Sequence, residues 1–458
     1  MFKIDYKTPV CVHFIGIGGI SMSGLAEVLL GQNFKVSGSD REDSPLCRHL
    51  TELGAKISFP QSADNITDDI DVVVYTAAIA DDNPELKKAR EKNLPLLTRA
   101  ELLGQIMDHY SRSISVAGTH GKTTTSSMLG QILLCSPEDP TLSIGGIFPA
   151  IGSNIHVGSS DIFLTEACEY KNSYHSFRGK YSIILNIEAD HLDFFKDLDD
   201  IRKSFARFAK NTYSEGMLVI SGDIPNLSEI TGGLDCRIVT FGESPNFDYY
   251  PKDITFDKNG CASFIPVAFG EELPAITLSV PGKHNVTNSL AAIAVARDMG
   301  IDFDVISMGL SRFGGTKRRF EHKGEFKGAT VIDDYAHHPT EISASLAAAR
   351  NLPHKRLVVV FQPHTYTRTK ALLGDFAKAL SVCDIVILAK IYAAREPDIF
   401  GISSADLCEE IKKLGTEAYY FETFEQIEDF LKKNTINDDL LITMGAGNVN
   451  EVGENLLS

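Results

Sequence analysis

SISVAGTHGKTTTSSMLGQILL, residues Ser113–Leu134, passes from a β-rich run into a glycine turn and then into a long helical pattern. A strand feeding such a turn and helix aims consecutive backbone N–H groups and the positive helix end at one point, which is where phosphate oxygens bind. Gly118, Thr119, His120, Gly121, Lys122 and Thr123 are therefore the predicted cradle for nucleotide phosphates. Lys122 supplies charge to the terminal phosphates, and Thr123 stands where a hydroxyl can reach Mg2+. The usual G-x-x-x-x-G-K-T spacing asks for glycine at position 116, where this chain has Val116, so the loop is a tighter variant. A turn that merely happens to contain Gly-Lys-Thr is the bland alternative. The order strand, loop, helix weighs against it.

The same grammar extends in both directions. Upstream, VCVHFIG, SMSGLAEVLLG, FKVSGSD, DVVVYT and PELKKAREKN alternate apolar runs with helical patterns, the signature of βαβ units and a parallel sheet. A second set starts near Tyr110 and continues through DIFLTEA, YSIILNI and MLVISGD, then turns rich in Gly, Pro and Asp over 222–282, read as an antiparallel appendage. Beyond GGTKRRFEHKG a third set follows with ATVIDDYA, RLVVVFQPH, DIVILAK, EAYYF and DDLLITMGAG. The predicted fold is α/β in three domains, 1–109, 110–322 and 323–458, in keeping with 458 residues being too many for one core.

Composition narrows the function classes. Apolar residues at 43% and charged residues at 23% describe a folded chain rather than a disordered one. With 61 acidic against 44 basic residues, the net charge of −17 repels nucleic acid and anionic membranes, although local amides can still hold a small phosphorylated substrate. Eight dispersed cysteines without a C-x-x-C pair read as reduced thiols, and MFKIDYKTPV lacks the apolar core of a signal peptide. No apolar run is long enough for a membrane span, so the expectation is a cytoplasmic protein without membrane insertion. The oligomeric state is open.

Phosphoryl transfer needs a hard cation, and Mg2+ prefers carboxylates, hydroxyls and water. DIFLTEACE delivers Glu166 and Glu169 at a strand end, and YSIILNIEADHLD delivers Asn186, Asp190, His191 and Asp193 at another. Near the N-terminus, IGIGGISMSG places Gly16, Gly18, Gly19 and Gly24 between a strand and a helix, suited to a pyrophosphate. The dinucleotide fingerprint wants glycine where Ser21 stands, so both NAD and another diphosphate remain open. Asp40, after the second strand, can accept bonds from a ribose or base, or simply form a turn.

The strings GTHGKTTT, TEACE, NIEADHLD, GKHNVTNSLAAIAVA and DDYAHHPTE resemble, in order and across nearly the whole chain, the Mur ligase family and its alanine-adding branch. The resemblance implies a Rossmann-like UDP-binding domain, a central P-loop ATPase-like domain and a Rossmann-like C-terminal domain. It implies an amide-forming ligase of peptidoglycan precursor synthesis that uses ATP and Mg2+ to activate UDP-N-acetylmuramate as an acyl phosphate for attack by L-alanine. Carried over residue by residue, it implies that Lys122, Thr123 and Thr124 serve ATP, that Thr123, Glu166 and His191 serve the metals, and that His284, Asn285 and Asn288 lie around adenine and the catalytic centre. Of the basic pair Arg318 and Arg319, it favours Arg319 as the arginine on the phosphates. Asp333, Asp334, Tyr335, His337 and His338 end an apolar strand. The resemblance implies Asp334 at the ribose, Tyr335 and His337 in the amino-acid pocket, and Arg368 on the alanine carboxylate. It also turns the N-terminal loop toward a UDP-sugar, held by Gly16, Gly18, Gly19, Ser21, Met22, Ser23 and Asp40, with Thr76, Ala77, Ala78 and Asn154 as further candidates.

Two departures stand out. Some relatives carry arginine where this chain has Thr365, removing one expected anion contact, and neither Lys203 nor Lys210 is assigned as the carbamylated lysine of other branches. The rival readings are a murein-recycling ligase that adds a tripeptide, a nicotinamide-dependent oxidoreductase, and a nucleotide-gated binding protein without chemistry.

Overall fold

The computed structural model describes residues 2–458 apart from Ala77, Ala78, Asp193, Arg395 and Phe400. Its strands form three sheets in chain order, each flanked by helices. The first is fully parallel, in the spatial order Lys56–Ser58, Lys35–Ser39, Cys11–Ile15, Val72–Tyr75, Leu96–Thr98. Cys11–Ile15 is buried along its whole length, as a central parallel strand must be when helices cover both faces. Local chemistry sets the helix starts. Asn83 caps Pro84–Glu91 by accepting from the N–H groups of Glu85 and Leu86, and Thr98 with Glu101 forms a capping box on Arg99–His109.

The central sheet has a parallel core in which Gly179–Ile184, Arg112–Ala117 and Ile162–Glu166 lie side by side. The loops leaving their C-terminal ends therefore converge, and that crevice is where open α/β sheets bind ligands. Residues 222–282 are antiparallel only from Tyr249 onward, and they extend the central sheet rather than standing apart from it. Arg237–Phe241 extends the parallel sheet beside Thr212–Ser221, and the antiparallel strands Tyr249–Phe256, Cys261–Ala268 and Ile276–Pro281 continue the same sheet. The turn-rich composition concealed this because strands at a sheet's margin carry alternating rather than continuous apolar runs. Helix Lys283–Asp298, buried over most of its length, packs against helix Lys122–Cys135.

The third sheet runs Glu321–Phe326, Ala329–Asp334, Asp439–Met444, Arg356–Phe361, Ile385–Leu388, Glu417–Tyr420, parallel except for its first, antiparallel strand. Among the described residues no helix is long and apolar enough to cross a membrane.

Candidate functional site

The phosphate loop lies between strand Arg112–Ala117 and helix Lys122–Cys135. Two of its residues need to be glycine. Gly118 (φ +146°) and Gly121 (φ +82°) adopt conformations that side chains disfavour, and a Cβ on Gly121 would lie 2.9 Å from Asn288 Oδ1. The loop is fixed from the neighbouring strand end: the His120 N–H donates to Asn186 Oδ1 (2.8 Å) and the Glu188 N–H to Thr119 Oγ1 (2.9 Å). Lys122 Nζ donates to the carbonyls of Gly118 and Thr119 and to Glu169 (3.0 Å). Burial alone would lower the Lys122 pKa, but the charge and hydrogen bond of Glu169 together with the neighbouring Glu166 and Cys168 outweigh it and raise it above the ordinary lysine value.

Glu166, the last residue of Ile162–Glu166, accepts from Thr123 Oγ1 (3.1 Å), Ser126 Oγ (3.1 Å) and the Gly145 N–H (2.6 Å). A carboxylate and a hydroxyl this close at a helix start form a hard-oxygen donor set that fits Mg2+. His191, at φ +52°, faces Glu169 and Asp190 (both 3.8 Å) and leans on the Tyr170 ring. Asp193 lies outside the described residues. Lys203 and Lys210 are exposed at helix Leu198–Ala209 and its C-terminal end.

The C-terminal sheet presents its own strand ends to this loop cluster. Arg318 is occupied structurally: its guanidinium reaches Asp333 (3.1 Å) and the carbonyls of Gly447 (2.9 Å) and Gly445 (2.8 Å). Arg319 instead approaches Glu341 (3.7 Å) and covers the Tyr335 ring at 5.0 Å. Asp333 accepts from Thr443 Oγ1 (2.7 Å), whereas Asp334 accepts from Ser345 and from the Ala336 N–H. Burial, only partly offset by the Ser345 hydroxyl and Arg319, pushes the Asp334 carboxyl up to about 6. His337 is pushed down to about 4 by burial, with Arg368 adding to the effect, so its imidazole is neutral at pH 7. Its Nδ1 faces the Tyr335 carbonyl (3.0 Å) and Glu341 (3.2 Å). Arg368 forms a buried pair with Asp190 (3.1 and 2.9 Å), binding the C-terminal domain to the central one. Thr365, four residues before the end of the first turn it opens, holds φ +67° and ψ 145°, a region otherwise left to glycine.

His120, Glu188 and His338 offer potential ligand atoms within 4.8 Å of one another. Both ring nitrogens of His338 already have hydrogen-bond partners. His338 Nδ1 accepts from the Thr340 N–H and its Nε2 donates to the Ala189 carbonyl, while His120 lies 3.4 Å from both Glu188 and Glu341. Burial opposes charge on His120, but the two carboxylates together outweigh it and raise it to about 9.

A cavity of about 790 Å³ opens between the central and C-terminal domains. His120, Gly121, Thr124, His284, Asn285, Asn288, Arg319 and Asp334 all line it, which brings most of the predicted nucleotide residues to one volume of nucleotide size. Asn285 is held by the Pro281 carbonyl (2.7 Å) and Asn288 by Asn285 (3.2 Å).

The N-terminal glycine loop lies apart from this cavity. Its Gly18 N–H donates to Asp40 (2.7 Å), and Asn154, from the central domain, reaches the Ile20 carbonyl (3.4 Å). Gly16, at φ +81°, makes the turn; Gly19 and Ser21 are exposed beside it. Met22 and Ser23, further candidates for the UDP-sugar, stand at the start of the helix that follows the loop. Met22 is 1% exposed within the first domain's core, and Ser23 donates to the Ile20 carbonyl, because both lie on the inward face of helix Ile20–Gly31. Thr76 follows strand Val72–Tyr75, while Ala77 and Ala78 lie outside the described residues.

Sequence reasoning missed Glu188, Glu341 and Gly145. Both glutamates sat inside motifs already singled out, but nothing in local spacing told them from solvated acids. Gly145 has meaning only through Glu166, 21 residues away.

Comparison with known proteins came to the same three parts. Sequence models described as Mur ligase family, catalytic domain; Mur ligase middle domain; and Mur ligase, glutamate ligase domain match residues 11–111, 116–296 and 318–447. The chain is 57% identical over 457 residues to the UDP-N-acetylmuramate–L-alanine ligase of Agathobacter rectalis and 58% identical over 458 residues to that of Lachnospira eligens, covering all of both chains in each case. Among solved structures it is similar to UDP-N-acetylmuramate-alanine ligase of Thermotoga maritima, with TM-score 0.79 and 30% identity over 97% of this chain and 98% of that one. A murein peptide ligase of Psychrobacter arcticus, 23% identical with TM-score 0.70 over 98% of each chain, shares the fold.

Proposed function

Because the chain belongs to the Mur ligase family, we propose that it uses ATP to join L-alanine to the lactyl carboxylate of UDP-N-acetylmuramate, a step of peptidoglycan precursor synthesis. The observation that carries this reading is the meeting of His120, Gly121 and Thr124 of the phosphate loop with Arg319 and Asp334 around one cavity, with the Thr123–Glu166 pair beside it at the start of the same helix. The proposed domain limits are 1–109 for the UDP-sugar, 110–322 for ATP and 323–458 for the amino acid and closure. The proposed location is the cytoplasm.

In this scheme a lactyl carboxylate oxygen attacks the γ-phosphorus of ATP, the bond to ADP breaks, and an acyl phosphate results. The neutral alanine amine then attacks the acyl carbon, the C–O bond to phosphate breaks, and the nitrogen gives up one proton to solvent or to the leaving phosphate as the amide forms. Lys122, from the phosphate loop, and Arg319, from the segment between the central and C-terminal domains, would neutralise phosphate charge, an effect that a low dielectric strengthens. Thr123 and Glu166 would hold Mg2+, with His191 as a further ligand; the ion would supply Lewis-acid neutralisation of the transferring phosphoryl group. Asp334 would accept from the ribose. His337 commits Nδ1 to Tyr335 and Glu341, which leaves the Nε2 lone pair to accept a hydrogen bond from the amine. Arg368 would take the alanine carboxylate in bidentate fashion, with Asp190 holding it in place.

The test is phosphate release from MgATP with UDP-N-acetylmuramate and, in parallel, L-alanine, glycine, L-serine or the stem tripeptide. Release that requires both the nucleotide sugar and L-alanine is the expected result. Dependence on the tripeptide would move the chain to murein recycling.

A further inference from the structure

The scheme above gives Glu341 only the His337 ring to orient, although its side chain is only 12% exposed and it faces cationic or polar groups from three parts of the chain. His120 Nδ1 of the phosphate loop lies 3.4 Å away, Arg319 Nη1 of the interdomain segment 3.7 Å, and His337 approaches through both its N–H (3.1 Å) and its ring (3.2 Å). One of these contacts is local. Glu341 sits in the first turn of helix Pro339–Ala349, where accepting from the His337 N–H is ordinary helix-start chemistry. The other two are not, because no helix start needs an imidazole from the central domain and a guanidinium from the linker. The neighbouring residue repeats the pattern: Thr340 Oγ1 donates to Glu188 (2.6 Å), which also faces His120.

We propose that Glu341 is a positioning residue that makes the phosphate loop and the C-terminal domain close as one unit, by holding His120, Arg319 and His337 in a single arrangement around the nucleotide phosphates. The identity of those phosphates rests on the ligase reading; the coupling itself does not. His120 and Arg319 carry charge of the same sign and approach from opposite sides of the cleft. Without the Glu341 carboxylate, Arg319 and His120 lose their shared partner and the closed arrangement loses its bridge. His338 and Glu188 are the other titratable groups facing His120, and Asp334 and His284 contribute to the field at Glu341 more weakly.

Glu341→Gln keeps the shape and removes the charge, and His120→Asn removes the partner. The first measurement is small-angle scattering of the full chain with Mg2+ and the imido analogue of ATP, which needs no acceptor. The wild type is expected to compact on adding the analogue and Glu341→Gln to remain expanded, with melting temperatures within a few degrees of each other. The second is turnover: kcat falls 10- to 100-fold in each single variant, and the double variant is no slower than the worse single one, since both break the same link. Compaction of Glu341→Gln equal to wild type, or losses that multiply in the double variant, overturns the proposal. A wild type that compacts but releases no phosphate with the nucleotide sugar and L-alanine would instead overturn the ligase reading and leave the scattering result to decide the role of Glu341.

Discussion

Gly145→Ala is expected to disable catalysis while barely affecting the fold. A Cβ at this position would lie 2.4 Å from Glu166 Oε2 and 2.7 Å from Oε1, closer than real contacts allow. Gly145 has no positive φ, so alanine meets no backbone penalty, and the side chain that must move is the flexible end of Glu166. Swinging it away forfeits the Gly145 N–H and the hydroxyls of Thr123 and Ser126. Hydrogen bonds to a charged group are worth roughly 1.5–3 kcal/mol, but Glu166 is only half-buried and water replaces much of what is lost. The net cost to stability is therefore about 1–2 kcal/mol, a fall of a few degrees in Tm. Displacing a metal-positioning carboxylate by about 1 Å costs on the order of 100-fold in rate. Phosphate release at saturating substrates, together with thermal unfolding, separates the two effects. Gly146→Ala is the control: its Cβ would meet only Thr316 and Thr123 methyl groups at 3.2 and 3.5 Å, so the rate should stay within about threefold of wild type. Gly145→Ala retaining more than half the wild-type rate, or both variants losing equally, would refute the reasoning.

Lys122→Ala should abolish phosphate release yet leave UDP-N-acetylmuramate binding by calorimetry unchanged, because the lysine serves only the nucleotide cleft. Arg368→Ala strands the buried Asp190 carboxylate, so urea unfolding should show a loss of roughly 3–5 kcal/mol along with a raised KM for L-alanine. Thr365→Gly should raise the unfolding free energy measured in urea by about 1 kcal/mol, since relief of roughly 1–3 kcal/mol of backbone strain exceeds the added entropy of glycine. His120 provides a pH test. Its folded value of about 9 lies above the ordinary 6.5, so its contribution is fully present below pH 6.5 and is lost as pH rises through 9. That contribution is on the order of 3 kcal/mol, and the decline in stability between pH 7 and 9.5 should flatten in His120→Asn.

Local chemistry was enough to read the three α/β units, the phosphate loop with Lys122 and Thr123, and the acids at the strand ends, because strand alternation, glycine turns and helix starts are each set by a few consecutive residues. The family resemblance, rather than local chemistry, placed Arg319 among the candidates. Local chemistry could not read which loops meet, since that depends on sheet order: Gly179–Ile184 and Ile162–Glu166 flank Arg112–Ala117 only because the chain crosses over between them. Turn-rich composition over 222–282 concealed strands that complete the central sheet, and the helical face of Met22 was decided by packing against the first core. The contacts that assemble the site join residues far apart in sequence: Asn154 with Ile20 across 134 positions, Thr340 with Glu188 across 152, Arg368 with Asp190 across 178. A carboxylate such as Glu341 looks the same in sequence whether it is solvated or held between His120 and Arg319. Only the folded chain removes the water and supplies the opposite charges, and that difference makes it part of a site.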